Sequence, residues 1–253
     1  MKIAVITGAS SGMGREFVRQ TGHFYRDLDE IWVIARRKER LERLRKESSV
    51  PLRIFDGDLL KKQVYKQYHS ELKEWQPEVR MLVNAAGFGR SGKFTDIASE
   101  SKKLQTDMVD LNCRALTRMI QITLPYMGKG GRIINLASAA AFCPQNGFAV
   151  YAATKAYVLS LSRALSSELR TRGIIVTAVC PGPVDTEFFR VSGELTAPLK
   201  KLTMVKAPAV VRKALKDSRK RREISVYGVP MKAAHIGAKL LPHRLILRAE
   251  EML

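Results

Sequence analysis

Acid is what this chain is short of: its 253 residues carry 24 Asp and Glu against 44 Lys and Arg, a formal charge of +20 at pH 7. A balance this basic raises a nucleic-acid or lipid-surface partner. The sequence nevertheless holds no nucleic-acid motif and no interleaving of aromatic with basic residues of the kind that stacks single strands. Specific nucleic-acid binding is therefore not expected, only nonspecific adhesion at low salt. Cysteine is scarce too. Cys113, Cys143 and Cys180 are odd in number and too few for a disulfide framework, and no Cys/His group has the spacing of a zinc site, so no metal is expected. No apolar run reaches the roughly 18 residues of a membrane span. The first strand, read over 2–6, leads straight into a glycine turn, which leaves no place for a cleaved leader, and the cytoplasm is the expected address.

What is present is apolar residue enough, 45%, for one large core, with no composition shift that marks a linker. The chain reads as a single domain over 1–253 with a basic C-terminal segment from about residue 200. Buried strands are read over 3–6, 31–35, 52–55, 81–84, 132–136 and 174–179, and segments of helical period over 14–23, 38–46, 64–74, 104–127 and 151–171. Strand-helix alternation of this kind predicts an α/β fold, a Rossmann-like doubly wound parallel sheet flanked by helices. Ligands of such sheets bind beyond the carboxyl ends of the strands, near the point where strand order reverses.

Two local patterns fall at such ends. The run Thr7-Gly-Ala-Ser-Ser-Gly-Met-Gly14 sets Gly8, Gly12 and Gly14 between the first strand and a helix, with Ser10, Ser11 and Met13 among them. Glycines there let the backbone approach a pyrophosphate at a helix N-terminus, although a turn that only closes strand onto helix has the same composition. The second strand ends in Arg36-Arg37, where a site for the non-phosphorylated cofactor carries Asp or Glu. Two cations clasp a 2′-phosphate, so NADP(H) is favoured over NAD(H), with Arg36 the first choice; a solvated helix cap is the plainer alternative. Further on, Tyr151 and Lys155 lie four apart, on one helix face, with Ser138 thirteen residues upstream. An ammonium about 4 Å from a phenol is worth up to about 4 kcal/mol at an effective dielectric of about 20, some three pKa units, so Lys155 is expected to bring Tyr151 down toward neutrality.

In their order and spacing these elements resemble the short-chain dehydrogenases/reductases over nearly the whole chain. The matching elements are the glycine turn, Asp58-Leu59, Asn84-Ala-Ala-Gly87, Asn112, Ser138 with Tyr151-x-x-x-Lys155, and Pro181-Gly182-Pro-Val-x-Thr186. The resemblance implies a carbonyl/secondary-alcohol oxidoreductase. Tyr151 would be its general acid or base, Ser138 would hydrogen-bond the substrate oxygen, Lys155 would also hold the nicotinamide ribose, and Asn112 would anchor a water that relays protons. It further implies adenine contacts from Asp58 and Leu59, a structural turn at Asn84, Ala85, Ala86 and Gly87, and a nicotinamide-side loop at Pro181, Gly182, Val184 and Thr186. One departure is Ser11, which stands where some NADP-dependent members carry a basic residue. The family's habit of pairing the helices at 104–127 and 151–171 implies a homodimer or homotetramer.

Substrate choice falls to the flanking segments, whose Phe88, Phe142, Phe148, Phe188, Phe189 and Met204 predict an apolar pocket for a lipid, steroid, acyl or aromatic ketone, unless they only fill the core. A 3-oxoacyl thioester reductase is the narrower enzyme reading, and a catalytically silent NADP-binding sensor or scaffold the rival. Residues 200–253 hold 14 Lys/Arg against 4 Asp/Glu, half of the net charge. Three readings of that segment stay open: a solvated basic surface, a weak membrane-surface helix over 236–247 that Pro242 interrupts, and steering of an acidic substrate.

Overall fold

The computed structural model describes residues 1–188 and 204–251. Its strands are β1 (Lys2–Thr7), β2 (Glu30–Ala35), β3 (Leu52–Asp56), β4 (Glu78–Asn84), β5 (Arg132–Leu136), β6 (Ile175–Val179), β7 (Val184–Asp185), β8 (Val205–Lys206) and β9 (Ile224–Ser225). Seven of them form one sheet in the order β3-β2-β1-β4-β5-β6-β9, each neighbouring pair parallel, while β7 and β8 pair separately. Because both faces of the sheet are covered, its central strands are mostly apolar rather than alternating.

The period of two decides which layer each residue joins. Ile3 and Val5 of β1 pack with α3 (Lys62–Trp75), α6 (Leu116–Thr123) and α7 (Ala149–Glu168) through Tyr68, Leu72, Met119 and Val158. Ala4 and Ile6 face the opposite layer, where Phe17, Leu41 and Val211 come from α1 (Gly12–Phe24), α2 (Lys38–Glu47) and α8 (Ala207–Arg219). Trp32, Phe55 and Tyr68 form an aromatic cluster with centroids 5.4 to 6.1 Å apart. Arg53 closes its edge, stacked over Trp32 and Trp75 while bridging Glu30 and Glu71.

The expected helix over 104–127 is unbroken as far as Tyr126 but is not α-helical throughout. It is built from α5 (Leu104–Val109), a π turn at Asp110–Ala115, α6, and a 3₁₀ turn at Leu124–Tyr126 that holds Pro125 in its first positions. A π turn inserts one residue without changing the apolar period much, so the sequence pattern does not show it. The helix expected over 236–247 is two, α9 (Val229–Leu240) and α10 (His243–Glu251), parted at Leu241 and Pro242 because proline cannot continue the first. One further helix, α4 (Phe94–Glu100), lies ahead of α5. Among the described residues no helix is long and apolar enough to cross a membrane.

Candidate active site

Strand order reverses between β1 and β4, and there Thr7 stands in register with Asn84. Thr7 Oγ1 accepts from the backbone N–H groups of Ala85 and Ala86, both at 3.1 Å, and so pins the turn after β4 onto β1. Gly8 lies at φ +68°, and a Cβ on it would sit 2.7 Å from the Ala86 nitrogen; on Gly14 it would sit 2.3 Å from the Gly8 oxygen. Only glycine fits either place. Helix α1 then starts with Ser11 as its extended cap, with no side-chain capping bond and no acid in its first turn. Its leading N–H groups and positive dipole end face the crevice uncompensated, a cradle suited to a diphosphate.

Arg37, rather than Arg36, turns to this cradle. Its guanidinium donates to Ser10 Oγ at 3.3 Å, to Ser11 Oγ at 2.7 Å and to Glu187 at 2.9 Å. Arg40, one helical turn on, meets the same carboxylate at 2.5 Å, and the two cations hold Glu187 below the usual carboxylate range. Arg36 is exposed and takes no part in this cluster. Asp58 and Leu59 follow β3 outside the cavity described below. The Asp58 carboxylate accepts from the Leu60 N–H at 2.9 Å, and Leu59 is buried in the core.

The candidate side chains hang on a buried polar lattice. Asn84 donates to Asn135 and Asn135 to Ser162, both at 2.9 Å, joining β4, β5 and α7. Asn112, on the π turn, is 1% exposed. Its amide donates to the Phe88 carbonyl at 2.9 Å and to Thr154 Oγ1 at 3.0 Å, while its oxygen accepts the Phe88 N–H at 3.1 Å. The Asn112 side chain therefore clamps the 84–88 turn to α7. A Cβ at Gly87 would lie 2.8 Å from the Asn112 oxygen, so the clamp needs glycine there.

Ser138 follows β5 and accepts the Ala140 N–H at 3.2 Å; it also bonds the Tyr151 hydroxyl. Tyr151, 7% exposed, lies between Phe148 and Phe188 at centroid distances of 4.4 and 5.4 Å. Lys155, 6% exposed, donates to the Leu136 carbonyl at 2.8 Å and sits 5.6 Å from the Tyr151 ring centroid. The expectation that Lys155 brings the phenol toward neutrality is not met in this structure. Burial pushes Tyr151 up to about 12, against a smaller lowering from Ser138. Burial likewise pulls Lys155 down to about 8, opposed by Cys113 and Cys180 beside it. Desolvation wins because the ammonium is committed to a backbone carbonyl and both groups lie in apolar surroundings.

Ser138, Tyr151 and Lys155 open on one cavity of 660 Å³. Its cofactor side is made by Met13, Ala85, Gly87 and the 181–186 loop, and its other side by Phe142, Cys143, Gln145, Phe148 and Phe188. The roof, Pro230, Met231 and Ala234 from α9, is a contribution with no sequence signal, since it rests on contacts far apart in the chain. Met231 is seated so closely on Gly182 that a Cβ there would meet its sulfur at 2.5 Å. Of the aromatic residues expected to line a pocket, Phe142, Phe148 and Phe188 do; Phe88 instead packs against the cluster around Tyr151, and Met204 is exposed. Phe189 lies outside the described residues. Thr154, Arg40 and Glu187 are additions that the sequence did not single out, and Thr7, which opens the glycine run, gains its role as the pin of the 85–86 turn. Arg40 alone carried a signal, its spacing of three from Arg37 on one helix.

A parallel sheet whose cavity opens at the reversal of strand order, under a glycine turn, belongs to the Rossmann-like class of nucleotide-site folds. The family model described as short chain dehydrogenase matches residues 2–195, and the chain belongs to the short-chain dehydrogenase/reductase family of oxidoreductases. It is 34% identical over 197 residues to sulfoacetaldehyde reductase 2 of Chromohalobacter salexigens, covering 74% of each chain. Among solved structures, a short-chain dehydrogenase from Sphingobium yanoikuyae in complex with NADPH superposes with a TM-score of 0.78 at 30% identity, over 95% of this chain and 94% of that one. The bulky-bulky ketone specific alcohol dehydrogenase from Comamonas testosteroni gives 0.73 at 27% identity, over 95% and 92%.

Proposed function

We propose that this oxidoreductase is an NADP(H)-dependent carbonyl reductase or secondary-alcohol dehydrogenase acting on bulky apolar substrates. The observation that carries the reading is the 660 Å³ cavity, whose side chains are mostly aromatic or aliphatic and converge on Tyr151 and Ser138. Among the described residues Lys155 is the one cation that lines it, and it is already bonded to Leu136. That lining suits a bulky ketone, as named for the Comamonas testosteroni enzyme, better than a small sulfonate, as named for the Chromohalobacter salexigens reductase, whose anion would want a free cation.

The residues present fit a dinucleotide. Gly8, Gly12 and Gly14 with Ser10, Ser11 and Met13 would hold the diphosphate at the head of α1, and Arg37 with Arg40 the 2′-phosphate, Arg36 standing aside. Ala85, Gly87, Pro181, Gly182, Val184 and Thr186 would flank the nicotinamide, and Lys155 its ribose. Asn84 and Ala86 shape that wall from behind, and Asp58 and Leu59 would meet the adenine edge. When bound, the dihydronicotinamide supplies the hydride. Ser138 would orient the substrate oxygen. Tyr151, protonated at neutral pH with its group pushed up to about 12, stands ready to give that oxygen a proton, the state from which a reduction starts. Lys155, still largely charged at neutral pH, would stabilise the phenolate left behind. Asn112 keeps the 84–88 turn and α7 in register for this, and with Lys155 would anchor a water that returns the proton.

The groove beside α7, lined by Tyr65, Val109, Arg118 and Tyr157 among others, supports a homodimer or homotetramer, since Val109 and Tyr157 are exposed there.

The test is NADPH oxidation against a panel of ketones graded from two carbons to diaryl and steroid size, with the Tyr151→Phe variant alongside. Turnover should rise with substrate bulk, and the variant should bind NADPH as the wild type does while turning over at least about a hundredfold more slowly. Best turnover on small anionic aldehydes would overturn the substrate class, and near-normal turnover by the variant would overturn the assignment of Tyr151.

A further inference from the structure

We infer that the C-terminal helices α9 and α10 form a docking surface for an anionic lipid bilayer. Helix α9 has no buried residue, although it roofs the cavity. At 3.6 residues per turn Val229, Ile236 and Leu240 fall within about 40° of one another, opposite Met231 and Ala234, which face the cavity. These three are 77%, 59% and 76% exposed, a continuous aliphatic stripe turned away from the body. Leu241 and Leu245, 53% and 52% exposed, extend it across the break into α10. A globular helix buries its apolar face against the core; α9 is apolar on both faces, and the outer one meets no described residue that buries it.

Charge selects the occupant. Lys232 and Lys239 run along one edge of the stripe, and Arg244 and Arg248, four apart on α10, flank Leu245. All four are exposed, and residues 229–248 contain no Asp or Glu. An aliphatic stripe edged by cations is the composition that settles into the headgroup region of an anionic membrane, the side chains below and the ammonium and guanidinium groups at phosphate level. A second copy of this chain is disfavoured, because a twofold contact would set the four cations of one stripe against the same four of the other. A protein partner is the poorer match, because the stripe offers no Trp or Tyr anchor and its two arginines stand at the edge rather than the centre. Docked in this way, the surface lays the cavity roof against the lipid. The inference concerns binding alone and does not rest on the substrate reading.

The experiment is flotation of the full chain with vesicles of phosphatidylcholine alone and of phosphatidylcholine with phosphatidylglycerol, at near-physiological salt. Binding is expected to the anionic vesicles and not to the neutral ones. The triple variant Val229→Ser, Ile236→Ser, Leu240→Ser keeps the net charge and touches no cavity residue. It should lose binding by about tenfold or more while its melting temperature and turnover stay unchanged. The charge variant Lys232→Gln, Lys239→Gln, Arg244→Gln, Arg248→Gln should lose it as well. No binding to anionic vesicles, or binding of the triple variant equal to wild type, which bulk charge alone would give, overturns the proposal. So does self-association without lipid that the triple variant abolishes.

Discussion

Lys155 concentrates the site's electrostatic tension in one side chain. Its folded pKa of about 8 lies below the ordinary lysine value, so between about pH 8 and 10.5 the unfolded chain binds a proton that the folded chain does not. Its burial therefore opposes folding below pH 8, and that penalty fades as pH rises through this window. The difference in unfolding free energy between Lys155→Met and wild type should shift toward wild type by about 3 kcal/mol at most from pH 7 to pH 10. Parallel denaturant titrations at the two pH values check it, and a pH-independent difference would refute the burial argument. Glu187 offers a second residue-scale test. It occupies the fork of Arg37 and Arg40 that a 2′-phosphate would need. Glu187→Gln should tighten NADP⁺ several-fold and leave NAD⁺ unchanged in calorimetric titrations; equal effects on both would remove these arginines from phosphate recognition.

At the scale of elements the π turn matters most, because it delivers Asn112 to Phe88 and Thr154 at once. Asn112→Ala leaves the Phe88 N–H and carbonyl unpaired in a part-buried place and should cost about 1 to 3 kcal/mol. A melting temperature about 5 °C or more below wild type, with turnover reduced, is the expected outcome; an unchanged melt would mean that the clamp is not structural. The same element shows what a sequence reveals and what it hides. The six long strands were legible because most of their residues are buried, which writes short, largely apolar runs broken only by residues such as Arg53 and Asn135. Residues that lie close together in the sequence were legible as a group too: the glycine turn at the crevice, and Ser138, Tyr151 and Lys155, which meet at one cavity. The π turn leaves the apolar period intact and was invisible. So was the two-residue β9, too short to carry a pattern. The choice between Arg36 and Arg37 depends on which way the first turn of α2 faces. The pKa of Tyr151 depends on burial that no spacing reports.

For the whole molecule, exposed apolar surface gathers on two faces, each edged by charge. The groove at Val109 and Tyr157 and the stripe on α9 are separate faces, one assigned here to subunit contact and one to lipid. Val109→Glu with Tyr157→Glu should convert the assembly to monomers in sedimentation without changing vesicle binding. Loss of both together would merge the two faces into one.

The seat of Met231 on Gly182 has a consequence for how this enzyme can diverge. The family match ends at residue 195, whereas the cavity roof is supplied from residues 230–234. The Ser138, Tyr151 and Lys155 side chains and the roof are thus carried by separate stretches of the chain. A change confined to the roof alters the shape of the cavity, and with it the range of molecules admitted, while those three side chains stay in place.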